Sequence, residues 1–214
     1  MKKIIVQLSL LFLISIIYNN SFAQAFGGKG SKQFTVGLGI TQHWTNYPEN
    51  GKGPKGNTSP LYGSLNLQLE FGIAKYVGIG GNIGGEFANN LSRKTIGYNY
   101  LIGYGLGAGT SSAFRSIAIP IGIHGNFHFL QLISDKSGKS IGDKMDVFAG
   151  ISFGSGPAFA IAKKDFKNFG NDVGFILYGG PHVGMRYYPT SNIGIYVEAG
   201  YGKSFLNGGI SLKF

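Results

Sequence analysis

Apolar residues alternate with small or polar ones along most of the chain. Phe34, Val36, Leu38 and Ile40 share one parity, and Thr35, Gly37, Gly39, Thr41 and His43 the other. Successive side chains of an extended strand point to opposite faces, so this run predicts a strand with one apolar face. Trp44 prolongs that face after a single polar exception, Gln42. A loop rich in Gly, Pro, Asn and Lys is expected over 46–60. The alternation returns over 61–73, where Leu65, Leu67, Leu69, Phe71 and Ile73 oppose Tyr62, Ser64, Asn66, Gln68 and Glu70. Only Ala74-Lys75-Tyr76 separates it from a third strand, 77–88, with Val77, Ile79, Ile83 and Phe87 against Asn82 and Glu86. Two alternating runs joined so tightly predict an antiparallel hairpin.

After a long connection over 89–114, a fourth strand spans 116–129. Ile117, Ile119, Ile121, Ile123, Phe127 and Phe129 oppose Ser116, Ala118, Gly122, His124, Asn126 and His128. Pro120 lacks a ladder donor, so a local irregularity is expected there. Residues 130–144 read as a polar turn. Strand five follows, with Val147, Ala149, Ile151 and Phe153, ending near Pro157, and 158–172 form a third long loop. Strand six covers about 174–188, with Phe175, Leu177, Val183, Met185 and Tyr187 against Tyr178, His182 and Arg186. A turn at 189–192 leads to strand seven, 193–201, and a short connection near Gly202-Lys203 leads to the last strand. That strand closes the chain with Ile210, Leu212 and Phe214 alternating with Gly209, Ser211 and Lys213.

Eight such segments, mostly long enough to cross a bilayer at a tilt, predict an all-β fold: an eight-stranded antiparallel up-and-down transmembrane β-barrel. Long connections alternate with short ones, as in barrels whose long loops face outside and whose short turns face the periplasm. An even strand count then puts both ends of the barrel on the periplasmic side.

Alternation alone does not separate a membrane barrel from a soluble one. Two observations favour lipid outside. None of the eight segments carries Asp, Glu, Lys or Arg on its apolar face, where a basic residue costs about 2–4 kcal/mol at mid-bilayer. The opposite face is mostly Gly, Ser, Asn and Thr, which suits the narrow interior of eight strands. Composition agrees. Charged residues are 13% of the 214, against about 25% in an ordinary soluble domain, while Gly is abundant at 37 residues. Aromatics on the apolar face fall into two expected girdles: Phe34, Phe71, Phe127, Phe129, Tyr187 and Phe214 near the periplasmic ends, and Trp44, Phe87, Phe153, Phe175 and Tyr201 near the outer ends.

Met1-Lys2-Lys3, the mostly apolar run 4–18 and Ser21-Phe22-Ala23 form a secretory signal peptide, residues 1–23, with a second possible cut after Ala25. A short periplasmic segment, 24–32, then precedes the barrel domain, 33–214. Removing Lys2 and Lys3 takes the formal charge from +10 to +8. Lys52, Lys55, Arg93, Lys94, Lys163, Lys164 and Lys167 are dispersed through the loops, where scattered solvated charge is the simpler reading and lipopolysaccharide phosphate the functional one. No basic stripe or recognisable module points to nucleic acid. There is no Cys, which excludes a disulfide framework, a thiolate metal site and a Cys nucleophile.

The final strand resembles the C-terminal strand of bacterial outer-membrane β-barrels, which typically ends in Phe. Across 33–214 the pattern is similar to the eight-stranded outer-membrane β-barrel family, of the OmpA transmembrane domain, OmpX and OmpW kind. The resemblance implies an outer-membrane location and closure of the barrel by pairing of the first and last strands. It also implies recognition of the strand ending at Phe214 by the barrel assembly machinery.

Four inward charged or titratable residues, Glu70, His128, Arg186 and Lys213, gather near the periplasmic end. Unpaired charges in a closed lumen are costly, so a network that plugs and rigidifies the barrel is expected. An ion or proton path is the alternative. Glu86, Glu198, His124 and His182 read as interior polar filler. Lipid-modifying enzymes occur on eight-stranded barrels, but here the strand histidines point inward and no Ser accompanies a His on the lipid face. The glycine clusters 103–107 and 51–56 lack the strand-loop-helix setting of nucleotide loops. No catalytic, metal or cofactor site is expected. The resulting expectation is a barrel with a filled lumen and a structural or surface-interaction role through its loops. The alternatives are a narrow channel for small or hydrophobic solutes and, behind it, a lipid-modifying enzyme.

Overall fold

The computed structural model describes residues 25–42, 44–47, 56–58, 61–91, 114–138, 140–162, 172–201 and 203–214. Residues 1–23, for which a signal peptide is expected, the glycine cluster 103–107 and most of 51–56, and the loop cations named above lie outside them.

Among the described residues the strands are β1 (Lys32–Gln42), β2 (Trp44–Tyr47), β3 (Gly56–Thr58), β4 (Leu61–Ala74), β5 (Val77–Leu91), β6 (Phe114–Ala118), β7 (Ile121–His128), β8 (Met145–Ala162), β9 (Asp172–Tyr187), β10 (Ile193–Gly200) and β11 (Leu206–Lys213). They occupy eight positions in one antiparallel sheet, because β1 and β2, β3 and β4, and β6 and β7 are interrupted halves of single crossings. The ring closes where β11 returns to β1, in register from Gln33 opposite Lys213 to Ile40 opposite Leu206. Closure removes every free edge over that stretch, which is what lets strands stand in hydrocarbon, where no water satisfies backbone N–H and C=O groups.

Polarity is inverted relative to a water-soluble protein. Leu38, Ile123 and Ile195 are each more than 60% exposed, and isoleucines, leucines, valines and phenylalanines cover the outer wall of every strand position. Inside sit Gln33, Asn66, Gln68, Glu70, Asn82, Glu86, Asn126, Glu198 and Ser211, all buried. Closed backbone pairing with an apolar exterior and a polar interior defines a membrane-spanning β-barrel.

Glycine sets the lumen's shape as much as the polar residues do. A Cβ at Gly184 would lie 2.3 Å from Cζ of Phe148, and one at Gly154 the same distance from the Tyr178 ring. Both inward aromatics therefore need a bare backbone across from them.

Several boundaries differ from the sequence reading. Residues 130–144 are not a polar turn: a helix, α1 (Phe129–Ser137), and a 3-10 turn over Ser140–Asp143 occupy them. Gly138 ends α1 at φ 64°, a left-handed conformation that glycine adopts at no steric cost. Phe129 consequently starts a helix rather than ending strand four. Strands five and six are also longer than the alternation alone indicated. β8 runs on to Ala162 and β9 begins at Asp172, so backbone pairing continues past Pro157 through Ala158, Phe159 and Ala160, which the loop reading had assigned to a connection. Phe153 therefore falls at mid-strand rather than near an end. The proposed loop 46–60 holds a β2–β3 extension of the first hairpin. The irregularity at Pro120 is present: β6 and β7 are separated by Ile119 and Pro120, where Ile119 N–H donates to the Pro157 carbonyl at 3.0 Å and Gly84 N–H to that of Pro120 at 2.9 Å.

At the end away from the termini the ring narrows. β10 stops at Gly200 and β11 starts at Leu206, and above them β2 pairs directly with β9, Trp44 opposite Leu177. The connecting residues are tied down by Tyr201 N–H to the Pro181 carbonyl (2.8 Å) and Phe205 N–H to that of Ile40 (3.0 Å).

Candidate functional site

The lumen near the termini holds a charged cluster. Inward positions of four strands supply it: Glu70 from β4, His128 from β7, Asp146 from β8 and Arg186 from β9. Arg186 donates through Nη2 to Glu70 Oε2 at 2.6 Å and through Nη1 to Asp146 Oδ2 at 3.0 Å. His128 stands between the same two carboxylates, Nδ1 at 2.9 Å from Asp146 and Nε2 at 2.8 Å from Glu70. Two bases thus face two acids, each in contact with both partners. Gln33 accepts a further bond from Arg186 Nη1, and Asn126 donates to Glu70 Oε2 at 2.9 Å. All of these side chains are buried.

Rings sandwich the cluster. The guanidinium of Arg186 lies over the Phe148 ring at 4.2 Å, and Phe26 stacks on His128. Phe26 belongs to the described part of the 24–32 segment, which turns into the barrel mouth. Ala25 N–H donates to the Gly142 carbonyl, and Gln33 Nε2 donates to the Ala25 carbonyl, both at 2.8 Å.

The structure brings Glu70, His128 and Arg186 together and adds Asp146, which the sequence reading did not single out. Asp146 is the second residue of β8, between Met145 and the apolar Val147, and its inward parity with Phe148 was the available signal. Lys213 is buried elsewhere, its ammonium 4.9 Å from the centre of the Tyr188 ring. Farther along the lumen, His182 Nε2 meets Asn126 Oδ1 at 2.8 Å, and His124 lies 3.9 Å from Glu70. Near the narrowed end, Lys203 reaches Glu198 at 2.9 Å, both buried. Among the described residues no group of His, Asp and Glu is arranged to hold a metal ion.

Of the proposed girdle residues, Phe71, Phe87, Phe129, Phe153, Phe175, Tyr187, Tyr201 and Phe214 are exposed on the outside, and Phe34 and Phe127 are half-buried there. Trp44 lies in β2, with its side chain outside the described residues.

No protein-family model matches the sequence, and no curated protein matches it. Solved structures do. Neisserial surface protein A shares 12% identity over 88% of this chain and 100% of its own, with a TM-score of 0.48. The outer membrane protein OprG from Pseudomonas aeruginosa shares 10% over 91% and 99%, with a TM-score of 0.44. Ail, the attachment invasion locus protein of Yersinia pestis, shares 11% over 87% and 99%, with a TM-score of 0.42. The class of the present chain stands on its own strand pairing and polarity.

Proposed function

We propose that the protein is an outer-membrane barrel with a blocked lumen, a structural and surface-interacting component of the cell envelope rather than a pore. One observation carries this reading. The Arg186–Glu70–Asp146–His128 cluster spans the interior from four strands, with Phe26 stacked against it from the end where the termini lie. A hydrated ion passing there has to break charge-assisted bonds that are among the strongest available to side chains. The Lys203–Glu198 pair adds a second obstruction toward the narrowed end.

Work done by such a protein falls to its outer wall and loops. Outer-membrane lipid is the partner of the apolar wall, and lipopolysaccharide phosphate that of the dispersed loop cations. The strand ending at Phe214 is the segment through which the assembly machinery recognises the chain. Enzymatic activity is not part of the proposal: His124, His128 and His182 are buried in the lumen, away from lipid substrate.

Conductance of the purified barrel in planar bilayers tests the reading. Silence at both polarities is expected. Steady single-channel steps would sink it in favour of a narrow solute channel.

A further inference from the structure

Helix α1 repeats the barrel's inverted polarity in a different element. Its buried residues are polar, Gln131 and Ser134. On a helix, residues three and four apart share a face, and the face opposite that pair is made of Phe129, Leu132, Ile133 and Lys136. Phe129 is 43% and Ile133 53% exposed, and Leu132 is half-buried. A helix docked on a protein in water would turn these groups the other way.

Its rotation is fixed. Ser134 Oγ accepts from Gly142 N–H at 3.2 Å on the buried side. Asp135 is held by the β4–β5 turn, with Lys75 Nζ at 2.9 Å and Tyr76 Oη donating at 3.1 Å. Gln131 Nε2 donates to the same carboxylate at 3.0 Å. The apolar face is therefore presented outward by design of the polar one.

That face is continuous with the lipid-facing wall. Phe129 meets Phe127 edge-on at 4.9 Å, and Phe127 meets Tyr76 at 6.3 Å. Phe127 is the last outward residue of β7 before the chain leaves the barrel. An aromatic ladder thus runs from wall to helix, with cationic Lys136 and Lys75 beside it. Apolar side chains on one face with basic residues at its border are what a helix lying in a membrane interface requires.

We propose that α1 is an interfacial anchor: it lies in the leaflet on the side of the termini, with Phe129, Leu132 and Ile133 among the upper acyl carbons and Lys136 and Lys75 at the lipid phosphates. The occupant of this face is phospholipid. The inference rests on the membrane-barrel reading above and extends it to a part of the chain outside the strands.

The chain has no Cys, so single cysteines carry a nitroxide without background. I133C and L132C report on α1, I151C on the lipid-facing wall and S191C on the β9–β10 turn at the same end. Each labelled barrel is checked for heat-dependent gel mobility, reconstituted in phospholipid bilayers, and probed by collision with oxygen and with a water-soluble nickel chelate. Labels at 133 and 132 are expected to favour oxygen, as at 151, and the label at 191 to favour nickel. Nickel preference at both helix positions, with oxygen preference kept at 151, would overturn the anchor alone and leave that face to water or a protein partner. Nickel preference at 151 would overturn the barrel reading itself.

Discussion

The ring of Phe26 lies flat on the imidazole of His128, centroids 3.4 Å apart and planes within 6° of parallel. A residue that precedes the first strand thereby caps a charge cluster assembled from four others. Phe26 is 1% exposed, so it behaves as core although it belongs to a terminal segment. Phe26→Ala is expected to cost about 3 kcal/mol, the lower end for a buried Phe truncated in a packed site. Urea unfolding in bilayers, followed by tryptophan fluorescence and gel mobility, measures it. An unchanged midpoint would mean that the segment is not docked.

Arg186 is the one guanidinium in the cluster, and it serves both carboxylates. Arg186→Met leaves His128 as the one basic side chain in contact with both Glu70 and Asp146. Removing one member of a buried ionic group typically costs about 3–5 kcal/mol, because an uncompensated charge stays behind. Neutralising the partners too, in Arg186→Met with Glu70→Gln and Asp146→Asn, is expected to recover a large part of that loss. The cycle of single and combined variants isolates the coupling. Additive losses would show that the four residues do not act as a unit.

Glycine at 184 is a packing requirement of the Phe148 ring, which in turn has the Arg186 guanidinium over it. Gly184→Ala forces that ring to move and is expected to destabilise by about 1–3 kcal/mol, as overpacking does in tight interiors. Gly184→Ala combined with Phe148→Leu should relieve most of the strain. The unfolding midpoints of the two variants decide the point.

Much of this architecture was readable from alternation, because a two-residue period is visible wherever one face meets lipid and the other a narrow interior. Glu70, His128 and Arg186 share inward parity near one end, so their gathering followed from counting. Three things were not readable. β8 and β9 run on through Pro157 to Ala160 and Asp172, where Gly, Pro and Ala weaken the pattern while backbone pairing persists. Helix α1 was hidden because Phe129 extends the strand parity of Phe127, and its apolar groups at 129, 132 and 133 were read against a two-residue period rather than a helical one. Phe26 carries no periodic signal at all. Its place depends on the Ala25 and Gln33 hydrogen bonds that draw the segment inward.

Lys75 and Asp135 join the β4–β5 turn to α1 outside the spanning strands. The hydrogen bond from Lys75 holds the Asp135 carboxyl below the ordinary aspartate range, and the same bond raises the Lys75 ammonium above the ordinary lysine value. The carboxylate's contribution is therefore present above the usual aspartate range and is lost as pH falls through its lowered value. The ammonium's is present below the usual lysine value and is lost as pH rises through its raised one. An NMR titration of labelled Asp135 should show a midpoint below that of an exposed aspartate, and Lys75→Gln should move it back up. A midpoint indifferent to Lys75 would break the link between turn and helix.

Two signal-peptide cuts fit the sequence, after Ala23 and after Ala25, and the packing of the mouth separates them. Ala25 is fully buried, its N–H bonded to the Gly142 carbonyl and its own carbonyl bonded to Gln33. A cut after Ala25 removes both bonds and leaves a charged α-amino group on Phe26, whose ring is enclosed against His128. Burying an unpaired ammonium costs several kcal/mol even after relaxation, so that product would have to withdraw Phe26 from the mouth and lose its packing as well. A cut after Ala23 leaves Gln24 ahead of Ala25 and keeps every one of these contacts. The intact mass of barrel extracted from membranes is therefore expected to correspond to a chain beginning at Gln24. A mass corresponding to a chain beginning at Phe26, in protein that still resists unfolding in the gel, would show that the mouth is closed without this segment.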